Sequence, residues 1–229
     1  MGMEIDQFFE RHRAKRFRDI AGNRGVKAKL YSLVQKGLFP KCLLFHGLAG
    51  CAKTTFARCC AYAVSCENIS AQHPDPCGQC EHCSGESNYL GLSGGIVLCN
   101  AAALTVKDLK EHWEVGRAAC DRPCVFIYDE LHRASKQVQN AMLPMIEDKS
   151  AFFVLIFCTL KPDKVEPALL QRLPSFQVRP PTTDEVVAHM QHVCSIEGWS
   201  QTQSDLQRIA MLNDNVPRAC LNALLQSSL

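Results

Sequence analysis

The 229-residue chain lacks any apolar run long enough to cross a bilayer. Its longest, Ala151–Leu160, is ten residues, about half of what a spanning helix needs. It also lacks a secretory leader, because the charged stretch Glu10–Arg18 stands where an apolar signal region would lie. Met1-Gly2 starts like a myristoylation site, but Asp6 occupies the place of the Ser or Thr such a site wants. No membrane partner is expected, and the cytoplasm is the expected compartment. Charge of one sign is lacking too: 25 basic residues stand against 23 acidic ones, a net +2. There is no internal repeat and no low-complexity tract, and 47% apolar residues exclude wholesale disorder.

The charge balance hides an asymmetry. Residues 1–60 hold 12 Lys and Arg against 4 Asp and Glu, a local +8, and the remaining 13 minus 19 gives −6. A basic amino-terminal portion suits a polyanion such as a nucleotide or nucleic acid, though a plain solvated face reads the same way. Cysteine is abundant, with 14 residues. The chain is too long for a disulfide-stapled miniature, so most thiols are expected reduced. Cys42, Cys99, Cys124 and Cys158 sit inside apolar runs and read as small core residues.

Four short, nearly continuous apolar runs read as strands buried on both faces: Cys42–Phe45, Ile96–Cys99, Cys124–Tyr128 and Phe152–Cys158, with a weaker fifth at Phe176–Val178. Helical patterns alternate with them at Thr54–Val64, Val106–Cys120 and Lys136–Ile146. The alternation predicts an α/β fold with a parallel five-stranded sheet. After Pro180-Pro181 the character changes to three amphipathic helices, Thr183–Ile196, Ser204–Leu212 and Pro217–Leu225, with Thr182 or Thr183 capping the first and Asn215 the last. The expected division is 1–179 for the α/β domain and 180–229 for a small three-helix domain.

Gly47-Leu-Ala-Gly50-Cys51-Ala52-Lys53-Thr54-Thr55 follows the first strand and opens a helix. The spacing is that of a phosphate-binding loop, with Ala52 in place of its second glycine. Backbone N–H groups and the helix amino terminus would hold phosphates, Lys53 would reach the β- and γ-phosphates, and Thr54 would bind Mg²⁺. An alanine at position 52 restricts the loop if that residue needs positive φ. The third strand delivers Asp129-Glu130 at its carboxyl end. With a phosphate loop upstream, Asp129 is expected to hold Mg²⁺ and Glu130 to activate the attacking water.

Cys66, Cys77, Cys80 and Cys83 form two overlapping Cys-x-x-Cys units plus a fourth thiol, within a Pro- and Gly-rich excursion. Four thiols and no open position point to a structural Zn²⁺ module at 66–83. A redox dithiol is the competing reading. His73 and His82 lie close in sequence but are not needed as ligands.

These boxes together resemble the AAA+ clamp-loader ATPases, of the gamma/tau type of bacterial DNA polymerase III holoenzyme, and are similar to replication factor C small subunits. His12-Arg13-Ala14-Lys15 resembles the family's opening box beside the adenine, the four-cysteine insertion its bacterial zinc module, and Asp129-Glu130-Leu131-His132 its acidic box. The resemblance covers about residues 11–226. It implies ATP bound between the α/β domain and a lid formed by the last three helices, with Arg13 at the base, Thr159 near the sensor-one position (or, in a shifted register, Leu160, which would lack a polar group) and Arg218 at the start of the sensor-two helix. It further implies that Arg172 acts on a neighbour's ATP, and that Lys107 and Lys110, three apart on one helix face, meet the DNA backbone. The implied partners are other loader subunits in a pentamer-like assembly, a sliding clamp and primer–template DNA. Family subunits continue into a helical collar beyond the lid, so the resemblance reads this sequence as a shortened or a diverged minimal member, cellular or viral. A non-hydrolysing delta-prime-like subunit is the first alternative, and a helicase loader or defence ATPase the second.

Overall fold

The computed structural model describes residues 2–83 and 95–228. Its centre is a five-stranded parallel sheet of β1 (Cys42–His46), β2 (Gly95–Asn100), β3 (Cys124–Asp129), β4 (Phe153–Thr159) and β5 (Ser175–Gln177). The spatial order is β2-β3-β4-β1-β5. Helices accompany them in chain order: α1 (Gly2–Arg11), α2 (Arg24–Gln35), α3 (Lys53–Ser65), α4 (Val106–Ala118), α5 (Lys136–Glu147), the single turn α6 (Pro167–Leu170) and, after β5, α7 (Thr183–Glu197). Two more, α8 (Gln203–Leu212) and α9 (Pro217–Ser228), close the chain; α7 joins these two rather than the sheet.

Side-chain alternation divides the core. Leu43, Phe45, Val125, Ile127, Val154, Ile156 and Cys158 face one layer with Phe56 of α3 and Leu30 of α2. Leu44, Phe126, Tyr128, Phe153, Leu155 and Phe157 face the other, with Leu109 of α4 and Met142 of α5. Every residue of β4 is buried, which accounts for its unbroken apolar sequence. Each fully buried Phe or Leu contributes about 1.5–3 kcal/mol over exposure, enough in sum to hold both layers on the sheet.

The carboxyl-terminal helices have their own core, in which Val186, Met190, Leu206, Ile209, Cys220 and Leu224 pack with Phe8 of α1. Thr182 caps α7 in a capping box with Glu185. Asn215 does not cap α9. Its backbone is left-handed at φ 55°, and its buried Oδ1 has no hydrogen-bond partner. The carbonyl of Val216 instead accepts the first helical bond, from Cys220 N–H at 2.9 Å. The observed β5 starts and ends one residue before the sequence pattern suggests, and α4 stops at Ala118 rather than Cys120. The sequence pattern contained no reading for α1, α2 or α6.

Candidate functional site

Parallel register brings four strand ends to one edge. His46 of β1 pairs with Thr159 of β4, Tyr128 of β3 with Phe157, and Asn100 of β2 with Asp129. The loop that leaves β1 therefore stands beside the carboxylates that leave β3, at the carboxyl edge where open α/β sheets bind ligands. Gly47 begins the loop at φ 146°, and a Cβ there would lie 2.0 Å from the Val178 carbonyl oxygen. No other residue fits that approach. Ala52 takes the left-handed conformation, φ 71° and ψ 21°, so the alanine sits where glycine would cost less.

Lys53 is buried, and its Nζ donates to the carbonyls of Gly47 at 3.0 Å and Leu48 at 2.8 Å. Burial lowers its pKa, against the opposing pull of Cys158 and Asp129. Thr54 Oγ1 donates to Asp129 Oδ2 at 2.7 Å. Two oxygens on adjacent vertices of a Mg²⁺ octahedron with arms of about 2.0–2.1 Å stand about 2.9 Å apart, so this pair fits the ion. Asp129 Oδ1 accepts the Glu130 N–H at 2.9 Å. Glu130 itself is left-handed at φ 58°, a strained backbone of the kind that collects at functional sites.

A cleft runs from this edge to the carboxyl-terminal helices. Gly50, Ala52, Lys53, Thr54, Thr55, Asp129 and Glu130 line one end, with Arg218 of α9 facing them. Arg13, His12, Phe9, Ile20, His189 and Leu221 also line it. Arg13 is held by Glu10 at 2.6 Å and reaches Thr55 Oγ1 at 3.4 Å. His12 meets Glu197 of α7 at 2.7 Å, tying the amino-terminal segment to the helical region. Burial pushes His189 down to about 4, so it is neutral.

Cys51 is buried beneath the loop rather than open to the cleft. Thr159 is fully buried and does not line the cleft, whereas Leu160 does. Arg172 lies outside the cleft, paired with Glu147 at 2.6 Å. Lys107 and Lys110 are exposed on α4, Lys107 within 3.7 Å of Glu111. Sequence reasoning missed Phe9, His189 and Leu221, which carry no local motif. The one local signal for His189 is helical spacing: it follows Val186 by three positions and precedes Val193 by four, which sets it on the inward face of α7.

The sulfurs of Cys66, Cys77, Cys80 and Cys83 lie within 4.8 Å of one another. Tetrahedral Zn²⁺ with arms of about 2.3 Å sets sulfurs about 3.8 Å apart, so the cluster is compatible with zinc. Amides already point at the sulfurs: Cys77 N–H at Cys66 Sγ, 3.3 Å, and Gly78 N–H at Cys83 Sγ, 3.1 Å. A hydrogen bond from Asn68, with others from the Gln79 and Cys80 amides, holds the Cys77 thiol well below the usual range, while burial raises Cys83. His73 and His82 are not in the cluster.

Among the described residues no helix is long and apolar enough to cross a membrane. The family model described as "ATPase family associated with various cellular activities (AAA)" matches residues 43–180. The chain is 26% identical to the DNA polymerase III subunit tau of Bacillus subtilis over 98% of its own length and 40% of that protein. It is 30% identical to the DNA polymerase III subunit gamma/tau of Mycobacterium tuberculosis over 94% of its length and 38% of that protein. It therefore spans about two fifths of these relatives. The Holliday junction branch migration motor RuvB of Thermotoga maritima superposes with a TM-score of 0.71 at 19% identity, covering 93% of this chain and 64% of that one. At that identity the likeness concerns the fold alone.

Proposed function

The chain belongs to the AAA family of ATPases, and from that premise we propose that it binds MgATP in the cleft and hydrolyses it as a subunit of a clamp loader in DNA replication. The contact between Thr54 and Asp129 at 2.7 Å carries the reading. It joins the phosphate loop to the acidic strand end in the arrangement that one Mg²⁺ would bridge.

In this reading the loop amides of residues 50–54 and the amino terminus of α3 bind the phosphates. Lys53 Nζ exchanges its loop carbonyls for the β- and γ-phosphate oxygens. Thr54 and Asp129 hold Mg²⁺, which neutralises charge on the phosphates when bound. Glu130 takes the proton of the attacking water. Arg13 lies along the nucleoside and Arg218 reaches the phosphates from α9. Arg172, outside its own cleft, serves a neighbouring subunit's ATP.

The α/β domain is taken as 1–179 and the lid as 180–229, a division supported by the separate apolar core of α7, α8 and α9, which Phe8 of α1 also joins. The four cysteines hold a structural Zn²⁺. The partners are further loader subunits, a sliding clamp and primer–template DNA, met through Lys107 and Lys110, in the cytoplasm. The names of the tau and gamma/tau relatives support this assignment. The complete set Lys53, Thr54, Asp129 and Glu130 argues against a non-hydrolysing role.

The test is a pair of variants. Lys53→Ala is expected to abolish ATP binding, and Glu130→Gln to keep binding but stop turnover. Equal ATP turnover in Glu130→Gln and wild type would sink the reading.

A further inference from the structure

His132 sits in the short turn Leu131–Arg133 directly after the acidic pair. Its ring bridges two strand ends. One nitrogen, Nδ1, lies 3.1 Å from Thr159 Oγ1 at the end of β4. The other, Nε2, lies 3.5 Å from Glu130 Oε2. The imidazole side chain is only 9% exposed and the Glu130 side chain 31%, so water competes weakly for these contacts.

The neighbours select a tautomer. Thr159 Oγ1 accepts the Lys161 N–H at 3.2 Å and still carries a proton that it can donate to His132 Nδ1. With Nδ1 as acceptor, the neutral ring carries its proton on Nε2, the nitrogen that lies 3.5 Å from the Glu130 carboxylate. The opposite tautomer would set a nitrogen lone pair against a carboxylate oxygen. The chain of contacts runs from Lys161 N–H to Thr159 Oγ1, from Thr159 Oγ1 to His132 Nδ1 at 3.1 Å, and from His132 Nε2 to Glu130 Oε2 as an electrostatic contact at 3.5 Å.

We propose that His132 is a positioning residue for Glu130, oriented by Thr159, and that the hydroxyl of Thr159 acts on hydrolysis through this ring. The inference rests on the reading of Glu130 as the group that activates water. A general base must stand within hydrogen-bond reach of the water it deprotonates, and Glu130 has a strained backbone with no other side chain among the described residues holding its carboxylate. Burial of Thr159 away from the cleft follows from the same arrangement.

The experiment is a double-variant cycle on the full chain, with steady-state ATP turnover, nucleotide affinity and thermal melting read together. His132→Ala is expected to lower kcat about 10- to 100-fold, the usual scale for losing an orienting partner, with ATP affinity unchanged. His132→Gln, whose amide N–H can replace Nε2–H, is expected to recover part of the loss. Thr159→Val, nearly isosteric, is expected to lower kcat as well. The double variant His132→Ala/Thr159→Val is expected to be no slower than His132→Ala, because both break one chain. Additive losses in the double variant would overturn the proposal, as would wild-type kcat in Thr159→Val should His132→Ala not fold. A wild type without turnover removes the reading of Glu130 and this inference with it. Inactive Glu130→Gln alongside fully active His132→Ala and Thr159→Val removes this inference alone.

Discussion

Arg16 Nη2 donates a 2.6 Å hydrogen bond to the carbonyl of Cys77, clamping the four-cysteine loop to the segment that leads into the nucleotide cleft. The next residue repeats the tie: Phe17 N–H donates to Asp75 Oδ1 at 2.8 Å, and Tyr31 Oη to Asp75 Oδ2 at 2.8 Å. The cysteine module is thus docked on the wall behind Arg13, not on the phosphate loop.

That placement separates metal loss from nucleotide binding. Elemental analysis should find about one zinc per chain, since four thiolates make one closed site. Cys80→Ser should release it and loosen residues 66–83 to protease, with ATP affinity changed far less than by Lys53→Ala. A folded chain with full thermal stability and no metal would refute the zinc assignment.

Ala52 is an L-residue at φ 71°. The left-handed conformation costs about 1–2 kcal/mol for a residue with a Cβ, and glycine returns about 0.5–1 kcal/mol of that through its greater freedom in the unfolded chain. Ala52→Gly should therefore stabilise the fold by up to about 1.5 kcal/mol and tighten nucleotide binding or leave it unchanged. Denaturant titration and ATP affinity check this. A clear loss of either would show that the loop holds phosphate in another conformation.

His189 is kept neutral by burial, with the nearby His192 and His12 adding to the effect, and its pKa falls to about 4. The unfolded chain binds this proton near pH 6.5 and the folded chain does not until about pH 4. Stability is therefore full above pH 6.5 and drains as pH falls towards 4. At pH 5 this one group should cost about 2 kcal/mol. The measurement is unfolding free energy at pH 7.5 and pH 5 in wild type and His189→Leu. The variant should lose less on acidification; an equal loss in both would show that His189 titrates normally.

Lys107 and Lys110 should touch DNA phosphates without base preference. Each neutralised phosphate adds about 0.9 to the steepness of log affinity against log salt on duplex DNA. The Lys107→Ala/Lys110→Ala variant should therefore bind primed DNA, with ATP present, on a shallower salt slope than wild type. Glu111 beside Lys107 makes Lys110 the larger contributor. Identical slopes would remove these lysines from the interface.

The sequence alone determined whatever is written in short windows. The β-branched and aromatic runs marked the five strands, because burial on both faces demands continuous apolar residues. Loop, acidic pair and cysteine cluster were legible because each needs fixed residue types at fixed spacing. Tertiary structure alone decided how the cleft closes. His12 meets Glu197 across 185 positions, and no local period encodes such a pairing. α1 escaped the reading because its Phe8 packs into the core of the distant carboxyl-terminal helices, and α2 because it starts from a left-handed Asn23 with Gly25 in its first turn. The sign of φ at Ala52, the placing of His132 between Thr159 and Glu130 and the burial of Thr159 likewise depend on what other strands and helices bring alongside. These contacts are set by packing between distant segments, where the physics is that of shape and hydrogen-bond satisfaction rather than of sequence period.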